Sequence, residues 1–529
     1  MKMRYLWTIA AFAAGALALP AAAVPRAQLL PSGTYRYSMS VGGTPLITSA
    51  VVITHAHGVM DVTESAGTPT GPILTLRGIV EQTFATTSYS LNGGTGSVGI
   101  TFAGRSATLT AAGHSITISE IGGAPFLVDE NLIAGLATVP AMLKVTGATH
   151  LTVACVCRGF LALGASVVPV TESRPANVPA ADLSTALELQ HQTFTFWYDP
   201  ETFVPRHIDL PSQHLAIDLQ SYGESTAEPS PIPARTPVPL PSPRYASRDV
   251  TIVADDGVRL AGTLTMPRSP SRVPAFVLVH GSGCIDRNET IGPNQIFAQI
   301  ANHLSNEGYA VLRYDKRSCG KSGGTFAVRS RLIADAEDSV RFLRHSAGVD
   351  PERIYGLGHS EGGELVPSLT ILDERLRGIV LLAPPAIPLD RILLQQSSRG
   401  LSGTAKIAAV RNEEAQIALI EAGTIHTPSA RWLRSSFGID PAKILARVPC
   451  PILILQGGKD IQVLPTDLPR LVNAARAAHR NVTVGLLQGD DHLFIFIPGT
   501  ARSTGMEYFI PSYLDPRLFS AIDAWLRTH

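Results

Sequence analysis

The pentapeptide Gly358-His359-Ser360-Glu361-Gly362 constrains this chain more than any other stretch, because of what surrounds it. It follows the apolar run Ile354-Tyr355-Gly356-Leu357 and precedes a helix-like stretch from Glu364 to Leu372. A strand that ends just where a helix begins must turn sharply, and glycines two before and two after Ser360 remove the Cβ atoms that would collide in such a turn. The pattern calls for a strand, a tight turn and a helix, with the Ser360 hydroxyl projecting into solvent above the edge of a sheet. Ser360 is thereby a candidate nucleophile, provided that a base and an orienting acid reach the same edge.

The rest of the C-terminal half repeats that logic. Asp249 to Ala254 and Val258 to Met266 flank Asp255-Asp256-Gly257 as an opening hairpin. Ala275 to His280, Ala310 to Tyr314, Arg353 to Leu357, Gly378 to Leu382, Ile452 to Gln456 and Val482 to Leu487 then read as parallel strands between helix-like runs. Strands alternating with helical runs are the mark of an α/β fold, a mostly parallel sheet with helical crossovers. Eight strands result, with the serine after the fifth.

The N-terminal half has a different period. From about Pro31 to Gly223 the chain is rich in Thr, Val, Ser and Gly and alternates apolar with polar residues. Thr34 to Met39, Ile73 to Gly78 and Thr193 to Tyr198 are examples of half-buried strands. This half is expected to be an antiparallel β-rich domain, a sandwich or partly closed barrel, with Leu132 to Leu143 as a short helix. His55 and His57 would share one strand face, and a solvated pair is a better reading than a metal site without further ligands nearby. Seven prolines between Pro229 and Pro243 favour an extended linker. With 529 residues the chain exceeds one hydrophobic core. The division expected is 24–227 for the β-rich domain, 228–244 for the linker and 245–529 for the α/β domain.

Lys2 and Arg4, the apolar stretch Tyr5 to Leu19 and Ala21-Ala22-Ala23 match the charged, apolar and small-residue regions of a secretory signal peptide, with cleavage expected after Ala23. The protein is thus expected to be exported, periplasmic or secreted, with no stable membrane span once the signal is removed. Basic and acidic residues number 43 each, which points away from nucleic acid as a partner. Export puts the five cysteines where disulfides can form, and an odd count leaves at least one thiol free. Cys155 and Cys157 are too close in sequence for an easy mutual disulfide, and Cys450, at the start of an apolar strand, reads as a small buried hydrophobe. No metal site and no cofactor is expected.

Five motifs in order carry a family resemblance: His280-Gly281-Ser282-Gly283 with Asp286-Arg287; Arg313-Tyr314-Asp315-Lys316-Arg317 with Gly320-Lys321-Ser322; the serine pentapeptide; Gly457-Gly458-Lys459-Asp460; and Asp491-His492-Leu493-Phe494. Together they make the region from about Arg248 onward resemble the α/β-hydrolases, in the branch of dienelactone-hydrolase-like and prolyl-oligopeptidase-like enzymes, and bacterial carboxylesterases with an added N-terminal domain in particular. The resemblance says little about residues 24–244.

The chemistry can also be argued from the residues. A serine hydroxyl is a weak nucleophile that needs a base, and the base needs a third group to fix its tautomer. Asp460 follows the apolar run Ile452 to Leu455, and His492 follows the strand Val482 to Leu487, so both emerge at the edge where Ser360 is expected. The order Ser360, Asp460, His492 agrees with that of α/β-hydrolases. Asp490 and Asp491 adjoin the histidine but are read as loop-shaping. The resemblance implies an oxyanion hole made by the amide of Ser282, or of its neighbour, and the amide of Glu361. It also brings the loops of Cys284 and Cys319 together, which makes a disulfide between them a hypothesis. Asp286, Arg287, Asp315 and Arg317 are expected to join these loops by ion pairs. An insertion from about 388 to 448 is expected to form a small helical cap, with Trp432 and Phe437 as candidate walls of an apolar substrate pocket.

These readings converge on a serine hydrolase cleaving small carboxylic esters through an acyl-enzyme. The same triad serves peptidases and thioesterases, which the motifs leave open. A ligand-binding protein with an inactive hydrolase half is the alternative of a different class.

Overall fold

Parallel strands that are apolar on both faces need cover on both. In the computed structural model this is met by helices on each side of an eight-stranded sheet. The structure describes residues 29–224, 226 and 238–529, except for 42–43, 67–72, 81–85, 94–95, 104–105, 112–113, 120–125, 129–132, 156–160, 190–191, 212–214, 270, 374, 400–402, 425–427 and parts of 500–510. The expected signal peptide, most of the proline-rich linker and Cys157 lie outside the described residues.

The C-terminal unit contains strands β1 (Tyr245–Val253), β2 (Arg259–Pro267), β3 (Val273–Val279), β4 (Ala310–Tyr314), β5 (Val349–His359), β6 (Gly378–Leu382), β7 (Ile452–Gly457) and β8 (Val482–Leu487). Their order across the sheet is β1-β2-β4-β3-β5-β6-β7-β8. The β1/β2 and β2/β4 pairs are antiparallel, and every later pair is parallel. Consequently the loops after β3, β5, β7 and β8 all open at one edge, where ligands bind in open sheets of this kind.

Among the described residues of the C-terminal half, nine helices follow in chain order: α1 (Ile296–Asn306), α2 (Arg329–Arg344), α3 (Gly362–Leu372), α4 (Leu389–Ser397), α5 (Gly403–Glu421), α6 (Pro428–Ser436), α7 (Pro441–Leu445), α8 (Leu468–Ala477) and α9 (Pro516–Leu526). Alternate residues of the central strands feed two cores. Val277, Ile354, Ile379 and Ile454 pack with Val340 of α2, Leu369 of α3 and Leu471 of α8. Phe276, Leu357, Val380 and Leu455 pack with Ile300 of α1 and Ile522 of α9. The period of two along each strand therefore survives as a choice between two helical layers. The expected insertion is helical, comprising α4 to α7. The last residues of the proline-rich stretch are fastened to this unit: Tyr513 donates to the Pro239 carbonyl at 2.7 Å and Asn302 to that of Pro241 at 3.0 Å.

The N-terminal unit, described by itself, differs from a two-sheet sandwich. Hydrogen bonding is continuous through fifteen strands between Gly33 and Gly223, with the first, Gly33–Val41, paired to the last, Leu215–Gly223. All pairs are antiparallel except Phe126–Val128 with His150–Cys155. Residues alternate as the sequence pattern requires, with Tyr35, Tyr37 and Met39 buried and Arg36 exposed. The expected helix is two short ones, Ala134–Ala137 and Val139–Thr146, and the fully buried Glu64 accepts the Ala134 amide at 2.7 Å. His55 and His57 do not share a strand face: the strand ends at Ala56, His57 turns with φ 53°, and His55 Nε2 donates to the Leu30 carbonyl at 2.8 Å.

Candidate active site

The turn after β5 is tight enough to dictate its sequence. Ser360 has φ 54°, a left-handed conformation that a residue with a Cβ adopts only at a cost of roughly 1–2 kcal/mol. A Cβ on Gly362 would lie 1.9 Å from the Val279 carbonyl oxygen, and one on Gly358 would lie 2.1 Å from that of Gly362. These contacts are with backbone, which cannot step aside, so glycine is required at both positions. The Ser360 amide is anchored to the Leu382 carbonyl of β6 at 2.9 Å. Contrary to a hydroxyl standing in open solvent, Ser360 is buried, at 8% exposure.

His492 and Asp460 meet at this edge. His492 Nδ1 donates to Asp460 Oδ2 at 2.7 Å, with both residues buried. Asp460 is itself saturated: Oδ1 accepts the amides of Gln462 and Val463 at 2.7 and 2.9 Å, and Oδ2 accepts Gln456 Nε2 at 2.9 Å. Four donors on one carboxylate fix its plane. With Nδ1 protonated, Nε2 of His492 carries the lone pair, and it is buried without a hydrogen-bond partner among the described residues. The neighbouring aspartates shape the loop. Asp491 Oδ1 accepts the amides of Leu493 and Ile495, and Asp490 accepts Arg517 Nη2 at 2.9 Å.

Polar groups also surround the loop after β3. The Gly281 amide donates to Glu289 Oε1 at 2.7 Å, while its carbonyl accepts Lys316 Nζ at 2.6 Å. Lys316 donates in addition to Glu361 Oε2 at 2.7 Å, and Trp432 Nε1 donates to Glu361 Oε1 at 2.6 Å. His359, the residue before the serine, has Nδ1 2.9 Å from Glu289 Oε1 and Nε2 2.9 Å from the His492 carbonyl oxygen. Sequence reasoning gave Glu289, His359 and Lys316 no part in this site. Its one local signal is the φ of 50° at Glu289, which a sequence does not display.

Other expected site residues fall as follows. Ser282 is buried in the loop after β3, and Glu361 precedes α3, so its amide belongs to a helix N-terminus, where amides lack intrahelical acceptors. Cys284 and Cys319 are joined, with Cα atoms 5.4 Å apart, and Cys450 is a buried free thiol whose pKa burial pushes up to about 12. Arg287 grips Asp315 through two contacts of 3.0 and 2.9 Å, tying the two loops. Arg317 instead pairs with Asp335 and Asp256, and Asp286 caps its own turn through Asn288 and Thr290. Trp432 is engaged by Glu361 and by the edge of Phe326 at 6.2 Å, which makes it a brace of the elbow rather than an open wall. Phe437 is half-buried just beyond α6.

Residues 275–492 match the family described as serine aminopeptidase, S33. Esterase EstD of Thermotoga maritima is 32% identical over 295 residues, which cover 53% of this chain and 68% of EstD. The chain belongs to the α/β-hydrolase superfamily. The uncharacterised protein Rv2307c of Mycobacterium tuberculosis is 28% identical over 254 residues, 48% of this chain and 76% of its own. Among solved structures, an esterase of Pyrococcus furiosus aligns over 56% of this chain and 97% of its own, at 18% identity and a TM-score of 0.39. By its family match and its likeness to EstD the chain is a hydrolase. No helix among the described residues is long and apolar enough to cross a membrane.

Proposed function

We propose that this protein is an exported serine hydrolase that cleaves carboxylic esters through an acyl-enzyme, with Ser360 as nucleophile, His492 as general base and Asp460 as the acid that orients it. The observation that carries the reading is the buried His492–Asp460 pair, whose Nε2 keeps an unpartnered lone pair at the sheet edge where Ser360 is held at φ 54°. In this scheme Nε2 takes the Ser360 proton as Oγ attacks the ester carbonyl, and returns it to the departing alcohol. The amides of Glu361 and of Ser282 or its neighbour receive the oxyanion. Water, activated by the same imidazole, then releases the acid.

The family description raises a second reading, an aminopeptidase. An aminopeptidase needs a carboxylate free to hold the substrate ammonium. The acidic side chains nearest the serine are already engaged, Glu361 by Lys316 and Trp432, and Glu364 by Arg329 at 2.8 Å. That favours neutral esters. The Cys284–Cys319 disulfide supports an oxidising compartment.

The deciding experiment is hydrolysis of aryl esters of graded acyl length beside aminoacyl and peptidyl amides, with fluorophosphonate labelling of the wild type and of Ser360→Ala. Esters should be cleaved and only the wild type labelled. Amides cleaved much faster than esters would establish the peptidase instead, and absence of labelling would end the serine mechanism.

A further inference from the structure

The acyl-transfer scheme makes no use of two ionisable residues that lie directly behind the serine. Glu289, on the loop after β3, is fully buried, and His359, at the end of β5, is 1% exposed. A carboxyl and an imidazole so deeply placed are expensive to hold unless each satisfies the other. Nδ1 of His359 is 2.9 Å from Glu289 Oε1, which also accepts the Gly281 amide, while Oε2 is buried without a hydrogen-bond partner among the described residues.

The second ring nitrogen makes the argument sharper. His359 Nε2 is 2.9 Å from the carbonyl oxygen of His492. A carbonyl can only accept. Glu289 Oε1 already accepts the Gly281 amide, so it too faces donors. A neutral imidazole has one N–H and one lone pair, and either tautomer would aim the lone pair at an oxygen. With Glu289 ionised, only the imidazolium, with two N–H groups, satisfies both partners.

Electrostatics run in the same direction. Burial alone would push the His359 pKa down, but Glu289, the His492 carbonyl and the more distant Asp460 together hold it above the ordinary imidazole value. For Glu289, burial raises and the His359 charge and hydrogen bond lower, and lowering prevails. The groups facing the ring are therefore Glu289 from the loop after β3, Asp460 from the loop after β7 and His492 from the loop after β8. The His492 ring lies 4.9 Å away centroid to centroid, and Phe494 closes another side at 6.5 Å.

We propose that Glu289 and His359 form a permanent carboxylate–imidazolium pair that links the Gly281 amide to the His492 carbonyl, and so locks the oxyanion loop and the base loop onto the two sides of the elbow. The inference rests on the acyl-transfer reading of Ser360 and adds two positioning residues to it. Neither residue touches substrate. Their effect is on where the backbone of His492 and the amides next to Gly281 stand, and a displacement of about 1 Å at such positions lowers turnover by about 10²-fold.

The test has two parts. In the first, ring-nitrogen NMR of histidine-labelled wild type is recorded at about pH 8, well above the ordinary imidazole value. One ring should retain protons on both nitrogens, should be assigned to His359 by its loss in His359→Gln or by connection to its own backbone, and should become singly protonated in Glu289→Gln. A His359 ring that carries one proton in the wild type overturns the proposal, whatever the enzyme does. In the second, Glu289→Gln, a near-isostere without the charge, should lower kcat for an aryl ester by about 10²-fold with KM little changed, and Glu289→Asp should recover part of it. Thermal unfolding distinguishes this from loss of fold. A folded Glu289→Gln enzyme with kcat within about threefold of wild type also overturns the proposal. Failure of the ester-hydrolase reading would show separately, as absence of fluorophosphonate labelling at Ser360, and leaves the NMR result standing on its own.

Discussion

Replacement of Asp460 by Asn puts the assignment of the orienting acid to a severe test, because the structure specifies which way the new amide must point. Oδ1 accepts two backbone amides, of Gln462 and Val463, and these donors cannot be rotated away. The amide oxygen of Asn must occupy that side, which leaves its NH₂ where Oδ2 stood, facing His492 Nδ1 and Gln456 Nε2. Gln456 can flip its own amide to accept, at the loss of its 3.2 Å bond to the Val463 carbonyl, worth about 1 kcal/mol. His492 can respond only by becoming an acceptor at Nδ1. Its proton then sits on Nε2, which can no longer take one from Ser360. In triads of this kind the wrong tautomer lowers kcat by about 10⁴-fold, or about 5 kcal/mol of barrier. KM should change little, since Asp460 is buried behind the histidine. The assay is steady-state hydrolysis of an aryl ester, with the rate of fluorophosphonate labelling as an independent report on Ser360, and thermal unfolding as a check of fold. A folded Asp460→Asn enzyme within about tenfold of wild-type kcat would refute the reasoning. So would a larger loss in Asp491→Asn, whose carboxylate serves loop amides.

Three further outcomes are expected. Ser360→Gly should be more stable than Ser360→Ala by about 1 kcal/mol in chemical unfolding, because glycine relieves the φ of 54° that alanine retains; the reverse order would mean that the turn is unstrained. Glu364 is buried, which with the nearby Glu361 pushes its pKa from the ordinary 4.5 up to about 7 against the opposing charge of Arg329. A carboxyl raised in the folded state contributes stability that is complete below about pH 4.5 and is lost as pH rises through about 7. Glu364→Gln cannot ionise, so its stability relative to wild type should rise by about 3 kcal/mol between those limits and then level off, and a flat or falling difference would contradict the burial argument. The Cys284–Cys319 bond closes a sequence separation of 35 residues, so its loss in Cys284→Ser should destabilise the C-terminal unit by about 4 kcal/mol in denaturant titration; an unchanged midpoint would mean that it constrains nothing in the unfolded chain.

Much of the fold could be read locally. The strands of the C-terminal half are short apolar runs separated by helical periods, and their predicted bounds differ from the observed ones by a residue or two, except at the starts of β1 and β5, each of which begins four residues earlier than expected. Local pattern carries the type of an element because the period of burial is a property of the element itself. It does not carry partners. That is why the N-terminal half, legible as alternating strands, left a sandwich and a partly closed barrel both open, whereas the described strands between Gly33 and Gly223 are hydrogen-bonded into one sheet.

The same distinction runs through the site. Ser360, Asp460 and His492 are conspicuous because each ends a strand in a distinctive turn, and parallel strands deliver such turns to one edge. Sequence also dictates the glycines at 358 and 362, since no other residue clears the backbone there. Glu289 and His359 are 70 residues apart, and Lys316 and Glu361 are 45 apart. Although His359, Glu361 and Lys316 stand in quoted motifs, nothing in the sequence marks these pairings, because they exist only once β3, β4 and β5 lie side by side. The sequence by itself determined the alternation of elements and pointed to the residues proposed for acyl transfer. Only the tertiary structure decided that Ser360 is buried, that Trp432 braces Glu361, and that a carboxylate and an imidazole stand behind the serine, because burial and hydrogen-bond partnership are set by which strands become neighbours.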